Sequence, residues 1–278
     1  MKRNKSVYVI LGYLLIMLGI SLPLYGFANM SYRQLDEKRA YEEFLENRVV
    51  TEEEEKGVAA YNAEISENNV VDPFTSEDYS AEYEFYKAHP DEPFAYLEVP
   101  KLGINKPVYL DASYKHLDMG VAHIDGTSLP VSGAGRRSVI AGHRGWYRDL
   151  MFFNLHKLEA GDDMFIVRGK TRMHYKVSDT EVILPSDWDA LQPREGEDMV
   201  TLLTCSPLRP PRPRRLLVNG VRVPDPEEAA PVEATGEASE EPVDPGVKTL
   251  DDAIFGVTIL GFVLLFITMY KLIKYLRD

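Results

Sequence analysis

The 278-residue chain holds a single cysteine, Cys205, and six histidines. Cys205 closes the apolar run Val200-Thr-Leu-Leu-Thr-Cys205, and Ser206-Pro207 ends that run at once. A thiol at a strand end is held rigidly while the loop beyond it stays open to substrate. Residues 207–215 then contain four prolines and four arginines. Nearby guanidinium groups favour the thiolate, the nucleophilic form of cysteine. Without such surroundings a free cysteine is ordinarily an inert core residue. A thiolate also needs a proton-transfer partner. His143, in Ala-Gly-His-Arg-Gly, follows a short β-rich run and has glycines that leave room beside its imidazole. Periodicity alone does not separate it from His123. One cysteine excludes an internal disulfide and any metal site built on cysteine pairs. The acids lack the spacing of a calcium loop, so no metal is expected.

The elements that must position these residues are β-rich. Candidate strands fall at residues 94–99, 138–141, 164–167, 173–177, 181–184, 199–205 and 215–223, with a hairpin turn at 168–171. Spacing this even predicts a closed barrel or sandwich over residues 94–223. Before it, residues 30–93 read as a helical, acidic stalk with four consecutive glutamates at 52–55, broken near Pro73. Behind it, residues 224–252 read as an acidic, proline-rich tether.

Two stretches carry no charge: residues 7–29 and 253–270. Each suffices for a helix across a hydrocarbon core of about 30 Å. The first, residues 1–29, is expected to be a retained anchor; cleavage after the small-x-small sequence Gly26-Phe27-Ala28 is the alternative. Six of the 31 basic residues and only Asp278 of the 44 acids lie outside residues 30–252, leaving 25 basic against 43 acidic side chains between the spans. So acidic a segment lacks the basic footprint of a nucleic-acid binder. Lysine and arginine at both extreme ends, including the tail 271–278, predict cytoplasmic termini and an extracellular middle.

Taken together, TLLTCSP followed by RLLVNG, AGHRG upstream, GVAHIDGTSLP before that and YLEVPKLGIN at the start closely resemble the sortases, exported transpeptidases of Gram-positive bacteria. The resemblance covers most of residues 94–223 and implies an eight-stranded β-barrel. Asp72-Pro73-Phe74 and the paired membrane spans resemble the pilin-polymerising class C in particular, in which an Asp and an aromatic residue form a lid. Carried over by motif, the resemblance implies Cys205 as nucleophile, His143 as acid/base, Arg215 as oxyanion stabiliser, and Asp72 and Phe74 as the lid. It implies no cofactor. The partners it implies are pilin subunits with LPxTG-like C-terminal sorting signals, joined through lysine isopeptide bonds.

The chain departs from the family pattern between Cys205 and RLLV. Leu208 replaces an aromatic, Arg214 replaces a His, and the loop is one residue longer. Arg214 therefore competes with Arg215 for the role, although strand alternation favours Arg215. His123 and Asp125 are expected to be structural; Trp146 could line a groove or serve packing. Two other functions stand beside pilus assembly: anchoring of surface proteins to the peptidoglycan precursor by another sortase class, and a non-enzymatic tethered scaffold.

Overall fold

A computed structural model describes residues 6–65, 70–76, 78–145, 149–223 and 242–277. Trp146 and most of the expected tether lie outside the described residues. The chain divides into two compact units.

The first unit is built from the start of α1 (Val7–Asn47) and α4 (Pro245–Arg277). Both are long and apolar enough to cross a membrane. They pair antiparallel: Ser31 Oγ meets Thr258 Oγ1 at 3.0 Å, and Gln34 Nε2 donates to Asp251 Oδ1 at 3.1 Å. The approach is closest at Gly261, where a β-carbon would lie 2.6 Å from Leu24 Cδ1. Small residues permit such contact in a setting where burial of apolar surface supplies no drive. α4 begins at Pro245, ahead of the uncharged stretch, because proline suits the first helical position and its early polar residues need not enter the apolar region.

The second unit is a closed barrel with strand order β1-β2-β3-β4-β7-β8-β6-β5. Its strands are β1 (Ala95–Val99), β2 (Ile104–Tyr109), β3 (Val121–His123), β4 (Arg136–Ala141), β5 (Asp163–Arg168), β6 (Thr171–Ile183), β7 (Asp198–Ser206) and β8 (Arg214–Arg222). The β2–β3 and β4–β7 pairs are parallel and the others antiparallel. A short helix, α3 (Tyr114–Met119), precedes β3. Eight strands leave an interior that side chains alone can fill.

Three sequence expectations change. β2 and β3 were not expected. The runs at 173–177 and 181–184 are one strand, β6, whose register shifts between Val177 and Asp179. The glutamate run is not solvated throughout: Glu52, Glu53 and Glu55 are exposed but Glu54 is buried. The run opens α2 (Glu52–Glu64), capped by Thr51 Oγ1, which accepts from Glu54 N at 3.1 Å. Glu54 is buried between Arg48, just past α1, at 2.6 Å and Arg168 of β5 at 2.8 Å, so the barrel wall supplies one of its two counter-charges. The end of α1 also packs on the barrel, with Tyr41 and Phe44 over Tyr96 at ring-centre distances of 5.0 and 4.7 Å.

Strands β4, β7 and β8 share a graded inner face. Thr201↔Asn219, Leu203↔Leu217 and Cys205↔Arg215 are successive same-face pairs of β7 and β8. On β4 the matching series is Arg137, Val139, Ala141. At one end Arg137 donates to Thr201 Oγ1 at 2.8 Å and Asn219 Oδ1 at 2.6 Å. It also reaches the Ala190 and Gln192 carbonyls. Val139, Ala141, Leu203 and Leu217 fill the middle as one apolar cluster. The thiol and a second arginine occupy the far end. A one-residue slip of any strand would bury the wrong face and break the polar clasp.

Arg137→Ala strands that clasp in a dry core and should lower stability by about 3 kcal/mol, read from the urea midpoint. Removing the exposed Lys56 partner of Glu52 should cost less than about 1 kcal/mol.

Candidate active site

The far end of the graded face gathers five of the residues singled out in the sequence. Cys205 and Arg215 are direct partners across β7 and β8. His143 lies two residues past β4, where the ladder continues through Gly142 N to Leu203 O at 3.0 Å. Thr204 Oγ1 donates to Gly142 O at 2.7 Å, and Phe152 N donates to His143 O at 3.0 Å, so the histidine's backbone is held from both sides. Gly142 is required by crowding: a β-carbon there would sit 2.7 Å from Phe152 Cδ2 and 3.0 Å from Val121 Cγ1.

Asp72 and Phe74 cover the site. Asp72 Oδ2 accepts from Arg215 Nη2 at 2.5 Å, and both side chains are 3% exposed. Asp72 Oδ1 accepts from Phe74 N at 2.9 Å, an Asx turn that fixes the segment's own shape. The Phe74 ring lies 5.6 Å from the His143 ring and 5.4 Å from the Arg215 guanidinium carbon. It also packs on the apolar cluster below. The strap is anchored on both sides. On α2, Tyr61 donates to Asp125 Oδ1 at 2.9 Å and Asn62 Oδ1 accepts from Leu129 N at 2.8 Å. Beyond the strap, Tyr79 Oη accepts from Asp125 N at 2.8 Å.

Of the two candidate arginines, Arg215 is 3% exposed and faces the thiol. Arg214 pairs with Ser206 and lies exposed at the strand start. His123 is fully buried, and its Nε2 faces the carbonyls of Thr127 and Ser128. That nitrogen therefore carries the proton, and Nδ1 accepts from the Tyr83 hydroxyl at 2.9 Å. Burial pushes the His123 pKa down to about 4. It is a structural imidazole, and Asp125 is committed to two tyrosines.

Electrostatics at the covered site suppress charge. Burial raises the Cys205 pKa; Arg215 opposes this and Asp72 adds to it. Burial lowers the His143 pKa, against the Asp118 carboxylate and with Arg212. With the strap down, thiol and imidazole are both held neutral. Three nearby groups were missed in the sequence. Tyr114, 6.1 Å from the His143 ring, and Asp118 sit four residues apart on α3, a helix too short to announce itself. Arg144 was visible as the one charge in Ala-Gly-His-Arg-Gly.

Comparison with known proteins places the barrel in a family. Residues 97–223 match the sortase domain model. Sortase C-3 from Streptococcus pneumoniae is 41% identical, with 67% of this chain and 90% of that chain covered and a TM-score of 0.63. A pilus-related sortase C of Group B Streptococcus is 31% identical over 66% of this chain and 96% of that one, with a TM-score of 0.60. Sortase A of Bacillus anthracis is 25% identical over 39% of this chain; the match spans only 50% of that protein's length. The closed eight-stranded barrel and the match over residues 97–223 define a sortase-type domain. The chain belongs to the sortase family, whose enzymes are cysteine transpeptidases, and the structures it matches are class C sortases.

Opening the strap can be read directly at the thiol. The Asp72→Ala/Phe74→Ala variant should react with a bulky thiol reagent at least about tenfold faster than wild type, the factor contributed by about 1.4 kcal/mol of closure. Equal rates at equal thermal stability would make the segment an unconnected surface turn. Asp72→Asn removes a negative charge that disfavours the thiolate. The pH midpoint of Cys205 labelling should therefore move down; an upward or absent shift contradicts the electrostatics above.

Proposed function

We propose that this sortase cleaves an LPxTG-like sorting signal at the Thr–Gly bond through a Cys205 thioester and joins pilin subunits through lysine isopeptide bonds. The observation that supports this reading is the strap. Asp72 occupies Arg215 and the Phe74 ring lies tilted beside His143, so a substrate must displace both before it reaches the thiol. The class C likeness of the matched structures points the same way.

Each residue has a task in this scheme. Once the strap lifts, the Cys205 proton passes to His143, giving thiolate and imidazolium. Sγ attacks the Thr carbonyl carbon, and charge builds on the carbonyl oxygen. Arg215, freed from Asp72, donates to that oxygen, a contribution typically worth about 3–4 kcal/mol. The carbon–nitrogen bond breaks and the imidazolium proton leaves with the glycine amine. A neutral lysine amine from the next subunit then attacks the thioester. Its proton goes to His143, and Cys205 departs as thiolate.

In this reading the paired apolar helices hold the enzyme in the cell membrane with both termini cytoplasmic and the barrel outside. Basic residues at both ends of the sequence support that orientation.

Incubating the full chain with candidate pilin subunits should give ladders, and mass spectrometry of a ladder junction should find threonine carbonyl bonded to lysine Nζ. Cys205→Ala should give none. Transfer to the peptidoglycan precursor instead of to a pilin lysine would overturn the reading in favour of wall anchoring. Arg215→Ala should reduce kcat/KM by about 100-fold or more. Arg214→Ala should change it far less, and the reverse ranking would shift the role by one residue.

A further inference from the structure

One charged group at the site has no use in the chemistry above. Arg144 follows His143 directly and is 3% exposed. Its Nε and Nη1 hydrogens are buried without an acceptor, and among the described residues it makes no ion pair. The favourable charge acting on it is the Cys205 thiolate, which the covered site keeps protonated. The unfavourable one is Arg212. Arg212, in the β7–β8 loop, spends Nε and Nη2 on the Leu208 carbonyl at 3.2 and 2.9 Å. It too lacks a carboxylate partner among the described residues, and its charge reaches Cys205, His143 and Arg144.

A guanidinium stripped of water, with two donor nitrogens unmatched and the charge of a second guanidinium acting on it, is a costly arrangement for a folded protein to hold unliganded. Arg215 differs, because Asp72 neutralises it while the strap is down. No acid occurs between residues 199 and 223, in a chain whose net charge is −13. No carboxylate among the described residues pairs with Arg144 or Arg212, which leaves both open to an anion from outside. Guanidinium matches a carboxylate in shape as well as in charge.

We propose that Arg144 and Arg212 form an anion-recognition subsite beside Cys205 that takes a carboxylate side chain flanking the scissile bond of the sorting signal. The identity of the peptide rests on the transpeptidase reading; the subsite itself does not. The enzyme should accordingly prefer a glutamate or aspartate at the variable position of the signal, or just beyond its glycine, over the matching amide or a lysine.

The test has two arms, in the full-length chain. The first measures Cys205 labelling in the Asp72→Ala/Phe74→Ala background by two methanethiosulfonates, one bearing a sulfonate and one a trimethylammonium group. Taken relative to the two reagents' rates with a small free thiol, the sulfonate reagent should react about tenfold faster, equivalent to about 1.4 kcal/mol. Arg144→Gln and Arg212→Gln should each reduce that ratio severalfold, and Arg144→Lys should keep most of it. Arg209→Gln, on the exposed part of the same loop, reports the general field. A ratio near one in the parent, or the same fall for Arg209→Gln as for Arg144→Gln, would overturn the subsite. Because buried Arg144 could be needed for folding, thermal melting accompanies each variant, and Arg212→Gln, in the loop, decides the matter if Arg144→Gln melts early.

The second arm compares cleavage of signal peptides differing only as Glu, Gln or Lys at the two positions. A kcat/KM preference for Glu that Arg144→Gln abolishes supports the proposal. Cleavage without that preference overturns it while leaving the transpeptidase standing. Charge-selective labelling with no peptide cleaved does the reverse.

Discussion

Everything at the site depends on the alternation of side chains along three neighbouring strands. Arg137 binds Thr201 and Asn219 in a dry interior, where it has no better option. That clasp fixes β4 against β7 and β7 against β8. Once it is fixed, the period of two carries the same face through Leu203 and Leu217 to Cys205 and Arg215. The histidine follows on β4's continuation. Burial keeps Arg137 costly, lowering its pKa to about 10, and a mispaired register would cost that charge its bonds to Thr201 and Asn219.

The strap exploits the geometry thus produced. In the proposed reading its carboxylate and ring occupy the groups a peptide would use; its own turn is held by the second oxygen of the same carboxylate. Anchors on α2 and at Tyr79 keep its ends close to the barrel, so reclosure is an intramolecular event. Substrate affinity is then reduced by the fraction of time the strap is down. Relief of that closure by a partner would raise apparent affinity without any new contact to the peptide.

Much of this was legible in the sequence and the rest was hidden for identifiable reasons. Cys205, His143 and Arg215 sit in compact motifs whose order follows the chain, and Asp72-Pro73-Phe74 stands between helix and barrel. β2 escaped notice because Asn105, Lys106 and Pro107 spoil its apolar texture; Lys106 is buried against Glu37, far away in sequence. β3 has three residues, too few for alternation to register. β6 read as two strands because Ser178 and Asp179 interrupt it at a bulge. The glutamate run looked solvated since Arg168, which neutralises Glu54, lies 114 positions later. For β2 and the glutamate run the deciding partner is distant in sequence, so no local window contains it.

The covering of Cys205 has a chemical consequence beyond access. Peroxide attacks thiolates, and each step from sulfenic toward sulfonic acid makes repair harder. With a single cysteine in the chain, no neighbouring thiol can capture a sulfenic acid as an internal disulfide. In the proposed reading the closed strap answers this by favouring the protonated form of the half-buried sulfur until a peptide arrives. Oxidative ageing of the enzyme should therefore follow the time its strap spends open, and idle molecules would outlast those at work.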